Sequence, residues 1–233
     1  MIVKVKFGEI TKKSAQIFLE HVKRQLEKKD EIVVALSGGS TVIGIFKELA
    51  RGGDPVLGKV HYFFVDERVV PLDHEDSNYL QAKKLFFDPL VQKKVIQEDH
   101  IHPIPYQEAR SVMLTDYNEE LERVSGGLFF DILLLGIGPD GHIASLFPNH
   151  HSIKDDSEGF IFLDDSPKPP PERLTASRKM IENSKVALVL VIDAKKKDAL
   201  EKYLKGSTTV EECPLKVVNK LKEHVIITDL DIK

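Results

Sequence analysis

The chain has 233 residues, 42% hydrophobic and 30% charged, with a net charge of -4, enough to bury a sizeable core in one α/β domain or two small ones. Acids and bases are interspersed, which excludes a nucleic-acid footprint or a membrane-surface patch, so an anionic ligand needs a local basic site. The single cysteine, Cys213, excludes an internal disulfide and a multi-cysteine metal site; with no apolar run of spanning length and no signal-peptide pattern at Met1 to Lys6, the expected location is the cytoplasm.

Ile2, Val3 and Val5 predict a first strand, and Ile10, Ser14, Ile17, Phe18, His21, Val22 and Leu26 then fall on one helical face, with His21 at its boundary. The apolar run 32–36 predicts a buried strand ending in Ser37-Gly38-Gly39-Ser40-Thr41, after which Val42, Ile43, Ile45, Phe46, Leu49 and Ala50 continue as a helix. Strand, Gly-Gly-Ser-Thr and helix in succession make an anion site on physical grounds: free amides at a helix N-terminus, glycines that allow close approach, and hydroxyls from Ser37, Ser40 and Thr41. Phosphate is the expected occupant; the alternative is a plain turn capped by Ser40. No Gly-Lys-Ser/Thr follows, so this is not a Walker A loop.

Residues 60–65 predict a third strand, closing on Asp66-Glu67-Arg68, charges that either solvate the strand's exit or line the same crevice as the Gly-Gly loop. Asp76-Ser77-Asn78 opens a helix, with Ser77 or Asp76 as cap. His100 and His102, in the rigid connector His100-Ile101-His102-Pro103-Ile104-Pro105, could face one way as metal ligands, but no carboxylate or cysteine lies nearby at a convincing spacing, and no metal is expected. A helix is predicted over 111–124, ended by Gly126-Gly127.

The aliphatic run 132–135 has the pattern of a strand buried on both faces, and it breaks into Gly136-Ile137-Gly138-Pro139-Asp140-Gly141-His142. A loop at the carboxyl end of such a strand opens into the ligand crevice of an α/β sheet, so Asp140 and His142 are candidates for chemistry. The alternative is a tight strand-to-helix turn with Asp140 as N-cap and His142 in the first helical turn. The six residues 136–141 match G-x-G-x-x-G literally, but an irregular loop occupies the interval where the dinucleotide fold needs an acid ending its next strand, so no nicotinamide cofactor is expected.

The polar, proline-rich run 149–171 predicts a surface loop of the kind that serves as a lid or specificity loop. Arg173 to Ser177 resumes as a short strand with Arg178 just beyond, 186–192 is another buried strand, and Asp193-Ala194-Lys195-Lys196-Lys197 starts a helix in which one lysine could serve a ligand. Residues 225–228 make a last strand. Strands alternating with helices predict a doubly wound, mostly parallel sheet in a single α/β domain, 1–233. There is no G-x-S-x-G elbow, and Cys213 stands far from any motif, so covalent catalysis lacks a nucleophile. A phosphate cradle, a loop histidine, carboxylates and arginines are equipment for general acid/base work on a small sugar phosphate.

Ser37-Gly38-Gly39-Ser40-Thr41, then Val65-Asp66-Glu67-Arg68-Val69-Val70-Pro71 with Ser77-Asn78-Tyr79, then Gly136 to Pro148, resemble in order and spacing the blocks of the 6-phosphogluconolactonase family, and Arg173-Leu174-Thr175 resembles its fourth. The resemblance covers nearly the whole chain. It implies the Rossmann-like fold shared with glucosamine-6-phosphate deaminase and ribose-5-phosphate isomerase. It also implies hydrolysis of 6-phospho-glucono-1,5-lactone in the oxidative pentose phosphate pathway without metal or cofactor, by a monomer or homodimer with no nucleic-acid or membrane partner. On this resemblance His142 is the general base that activates water, Asp140 holds the loop or orients the imidazole, and Arg68, with Asp66 beside it, lies near the sugar or the developing oxyanion. Ser37, Gly38, Gly39, Ser40 and Thr41 bind the phosphate, helped by Arg173, Arg178 or Lys196. Two rivals remain. The deaminase family continues Asp-Gly-His-Ile-Ala into Phe-Asn-Glu-Pro, whereas Ser145-Leu146-Phe147-Pro148 follows here, without that glutamate. A sugar-phosphate sensor on the same fold would keep the Gly-Gly loop and could lose the histidine.

Overall fold

The computed structural model describes residues 1–107 and 109–231. In chain order the elements are β1 (Ile2–Lys4), α1 (Ile10–Leu26), β2 (Ile32–Leu36), α2 (Ser40–Gly52), β3 (Val60–Phe64), β4 (Asp66–Arg68), α3 (Asn78–Ala82), α4 (Asp88–Gln92), α5 (Arg110–Ser125), β5 (Ile132–Gly136), β6 (Phe160–Leu163), β7 (Arg173–Ala176), α6 (Arg178–Asn183), β8 (Val186–Val191), α7 (Lys197–Leu204) and β9 (Glu223–Thr228).

Runs such as Val186 to Val191 bury every side chain, and that is possible only where both faces of a strand are covered. They form a six-stranded sheet in the order β1-β9-β8-β5-β2-β3, parallel throughout and flanked by helices. The connection from β2 to β3 runs one way and the later connections, from β5 through β8 to β9, run the other, so the winding reverses between the paired neighbours β2 and β5. That is where a parallel sheet opens a crevice at its carboxyl ends. Among the described residues no helix is long and apolar enough to cross a membrane.

A second sheet, antiparallel and in the order β4-β7-β6, was not expected. Two of its strands come from stretches whose composition hides them. The charged triplet 66–68 is a strand because Glu67 turns inward and accepts hydrogen bonds from Ser77 Oγ at 3.0 Å and from the amides of Arg68, Asn78 and Tyr79 at 2.8, 2.7 and 2.8 Å. Burial pushes the Glu67 carboxyl up, and those backbone amides pull it back. The stretch expected to be all loop, 149–171, contains β6, whose Phe160 and Leu163 enter the core.

Candidate active site

The loops after β2 and β5 leave the sheet side by side. An ideal Cβ on Gly136 would sit 3.8 Å from the Gly38 carbonyl oxygen, and both loops line one cleft of ≈ 290 Å³. On the β2 side Gly39, with φ 89°, occupies the N-cap position of α2, so the helix begins at Ser40 and no side chain caps it. The expected alternative, Ser40 as cap, is therefore not what forms. The first amides of α2 have no intrahelical acceptors, and the positive end of the helix faces the cleft. Ser37 Oγ is buried there without a hydrogen-bond partner. The two glycines differ in what they make room for. A Cβ on Gly39 would meet nothing within 4 Å, whereas one on Gly38 would fall 1.8 Å from Asn78 Oδ1; Asn78 in turn donates to the Asp66 carbonyl at 2.9 Å.

On the β5 side no helix follows the strand, so Asp140 is not an N-cap and His142 is not in a first helical turn. Residues 137–147 instead form a coiled loop, closed by Gly138 N–H to the His142 carbonyl at 2.9 Å and Gly141 N–H to the Gly138 carbonyl at 3.1 Å. Gly138 leaves the space the imidazole fills: a Cβ there would lie 2.0 Å from His142 Cε1 and Nδ1. The ring packs on Phe147, and Ala144 takes φ 49°, a strained value for a residue with a side chain. Leu215 N–H reaches the Gly141 carbonyl at 3.0 Å, and a Cβ on Gly141 would lie 3.0 Å from Cys213 Sγ. Cys213, remote from every motif in sequence, thus packs directly behind the histidine loop.

His142 Nδ1 lies 2.6 Å from Asp140 Oδ1, and Lys168 Nζ lies 2.9 Å from Asp140 Oδ2 and 3.1 Å from His142 Nδ1. An ammonium can only donate, so the Lys168 ammonium takes one oxygen of the carboxylate and the imidazole N–H takes the other. The imidazole then carries its proton on Nδ1 and presents a free Nε2, which no protein group among the described residues engages. Burial by itself would raise the Asp140 pKa, but the His142 hydrogen bond and charge together with Lys168 outweigh it and hold the carboxyl well below the usual carboxylate range.

The second sheet closes the cleft. Arg68 and Arg173 are direct partners across β4 and β7. Arg68 Nη1 donates to the Asp76 carbonyl at 2.6 Å, and its Nε is buried without a partner. Asp66 accepts from Ser145 Oγ at 2.7 Å, and Ser145 N–H donates to Thr175 Oγ1 at 3.1 Å, tying the histidine loop to β4 and β7. Lys196 enters from the turn between β8 and α7, while Lys195 and Lys197 are exposed. Burial first and the like charge of Lys168 second push the Lys196 pKa down. Four cations, Arg68, Lys168, Arg173 and Lys196, thus line the cleft against the single carboxylate of Asp66.

Residues 7–227 match the family described as glucosamine-6-phosphate isomerases/6-phosphogluconolactonase. The chain belongs to this family. It is 30% identical to a 6-phosphogluconolactonase of Borreliella burgdorferi over 91% of its own length and 90% of that protein's, and 39% identical to a probable 6-phosphogluconolactonase 4 of Arabidopsis thaliana over 76% and 72%. It also superposes on a solved 6-phosphogluconolactonase from Thermotoga maritima with TM-score 0.84 and 25% identity, covering 98% and 97% of the two chains.

The structure gathers into one cleft nearly every family residue named from the sequence: Ser37, Gly38, Gly39, Ser40, Thr41, Asp66, Arg68, His142, Arg173 and Lys196, with Asp140 behind His142. Arg178 is a correction. It opens α6, where Ser177 is the cap, and its guanidinium turns back to Glu182 at 2.8 Å and Glu211 at 3.8 Å, away from the residues lining the cleft. Arg173 does reach the cleft, but its Nε and Nη2 are spent on the carbonyls of Pro170, Pro169 and Lys168 at 2.8, 2.9 and 3.2 Å. Lys168 lines the cleft as well, though no motif in the sequence marks it. The signal was a lone lysine among Pro167, Pro169, Pro170 and Pro171, whose fixed φ angles stiffen the backbone that carries it.

Proposed function

We propose that the chain hydrolyses 6-phospho-D-glucono-1,5-lactone to 6-phospho-D-gluconate, the lactonase step of the oxidative pentose phosphate pathway, by general-base catalysis at His142. The observation that carries this reading is the pairing, in one cleft, of an uncapped helix N-terminus ringed by cations with an imidazole whose free nitrogen is set by Asp140.

The phosphate dianion sits at the amides of Gly39, Ser40 and Thr41 with the Ser37 hydroxyl, and Lys196 supplies charge. Anchored there, the ring extends toward His142, so remote binding energy brings its C1 carbonyl near productive geometry. A water gives a proton to His142 Nε2 as its oxygen bonds to C1. Asp140 stabilises the resulting imidazolium, and Arg68 faces the oxyanion as charge develops, where a fixed cation counts for more than in water. Collapse of the tetrahedral species breaks the C1–O5 bond, the proton on Nε2 passes to O5, and the products are a carboxylic acid, ionised at neutral pH, and a hydroxyl.

The isomerase branch of the family is disfavoured by Phe147, which stands where that branch carries its ring-opening glutamate and sets an apolar ring, not a carboxylate, against His142. Acid release from the lactone, measured beside ammonia release from glucosamine 6-phosphate, tests the reading. Lactone turnover without ammonia is expected; ammonia release, or binding of both with turnover of neither, overturns it.

A further inference from the structure

At the opposite end of the sheet from the cleft, three histidines and two glutamates converge from segments far apart in sequence. Glu31 immediately precedes β2, and His61 is the second residue of β3. The connector 100–102 runs along β3's outer edge, with Ile101 bridged to Tyr62 and His102 N–H donating to the Tyr62 carbonyl at 2.9 Å. Sequence spacing gave His100 no carboxylate. The parallel register of β2 and β3 supplies one, because it puts Glu31 beside the start of β3. We propose that Glu31, His61 and His100 form a site for a divalent first-row transition metal of the Zn²⁺ class, which fastens the connector to the edge strand.

Each of the three residues offers a ligand atom, all within 4.8 Å of one another. His61 Nε2 lies 3.3 Å from Glu31 Oε2, and His100 Nε2 lies 3.8 Å from Glu31 Oε1. Ligands about 2.0–2.2 Å from a tetrahedral ion sit roughly 3.4 Å apart, so the spacing needs little adjustment. Two imidazoles and a carboxylate suit zinc, nickel or copper rather than magnesium or calcium, and three protein ligands leave a fourth position to water.

Hydrogen bonding fixes which nitrogen of His61 is available. His102 Nδ1 is 2.8 Å from Glu120 Oε1, whose ionised form Arg123 favours, so His102 donates from Nδ1 and accepts at Nε2. His61 Nδ1, 2.9 Å from that Nε2, must therefore carry the His61 proton. The lone pair of His61 Nε2 is then turned toward a carboxylate oxygen. Two acceptors face each other, an arrangement that a cation between them relieves. A carboxylate orienting a ligand histidine through its far nitrogen is the usual support of a metal site, here with one more imidazole in the chain. His100 Nδ1 is buried without a hydrogen-bond partner, and that ring is held by stacking on His61 at 4.2 Å. It can tilt to bring its Nε2 onto the ion without breaking a hydrogen bond.

The test uses the full chain stripped of metal with a chelator, then titrated with Zn²⁺ and followed by thermal unfolding and anomalous diffraction. Expected are a Tm rise of several degrees, an anomalous peak between Glu31, His61 and His100, and apparent affinity at least ~10-fold weaker in Glu31→Gln and His100→Asn. His102→Phe, which removes the orienting chain, should weaken it by about 10–100-fold. His150, His151 and Asp165 form the other such cluster among the described residues, so His151→Asn is the control that should leave the shift intact. A wild-type crystal soaked in Zn²⁺ with no peak at Glu31, His61 and His100 overturns the proposal. So does a Tm shift that survives in the Glu31→Gln/His100→Asn double variant.

Discussion

Two imidazole relays sit at opposite ends of the same sheet. At the carboxyl ends, Asp140 holds His142 by Nδ1 and leaves Nε2 open to a cleft lined by Arg68, Lys168, Arg173 and Lys196. At the amino ends, Glu120 holds His102, His102 holds His61, and the free Nε2 of His61 looks at another carboxylate, Glu31. The device is the same in both places, a buried or half-buried acid dictating which nitrogen is free. What differs is the charge in front of that nitrogen. In the proposed function, cations in front keep an anionic substrate near a base; in the proposed metal site, an anion in front makes the nitrogen half of a cation site.

The comparison is broken most sharply by removing the first base. His142→Ala should lower kcat by about 10²–10⁴ or more with a modest change in KM, read as lactone turnover above the uncatalysed background; undiminished turnover would mean the two relays do not divide the work as described. Gly138→Ala should come next, at roughly 10² in kcat by the same chemistry, because its Cβ would lie 2.0 Å from the imidazole and drive it from its place. If that variant folds and turns over normally, the ring does not need its present seat. Lys168→Met removes a cation from the cleft and a donor from Asp140, and about 10-fold in kcat/KM should be lost, mostly as raised KM.

The acid limb of stability sharpens the contrast further. In the folded chain the Asp140 pKa is depressed below its ordinary 3.8, so the stabilisation it gives is complete above about pH 4 and fades as pH falls through the folded value. The urea midpoint of Asp140→Asn should accordingly change less between pH 6 and pH 3 than that of the wild type. Smallest of all, Arg178→Ala and His61→Ala should leave lactone turnover within about twofold, since neither lines the cleft. A tenfold loss in either would put a second functional element outside it.

The parallel sheet was legible because its strands are uninterrupted aliphatic runs, and the two loops because glycines follow such runs directly. β4 was not legible as a strand. Its charges are satisfied by Ser77, Asn78 and Tyr79, and no local pattern says that a buried Glu67 will be met by donors ten residues on. β6 carries its own signal in Phe160-Ile161-Phe162-Leu163, which the surrounding prolines and acids drowned. At the cleft, the residues contiguous with a motif were found and those supplied by folding back were not: Lys168 arrives from the proline-rich loop, and Cys213 from behind Gly141. Arg178 failed for the opposite reason. Proximity in sequence to Arg173 says nothing about direction once a strand has given way to a helix.

The grip of Arg173 on three consecutive carbonyls has a kinetic consequence. The segment bearing Lys168 is moored before any ligand arrives, so the cations ring a standing positive mouth on a chain whose overall charge is -4. A dianion is drawn in by that field rather than trapped by a closing door, so capture at scarce substrate should slow as ionic strength rises and show no lag for rearrangement.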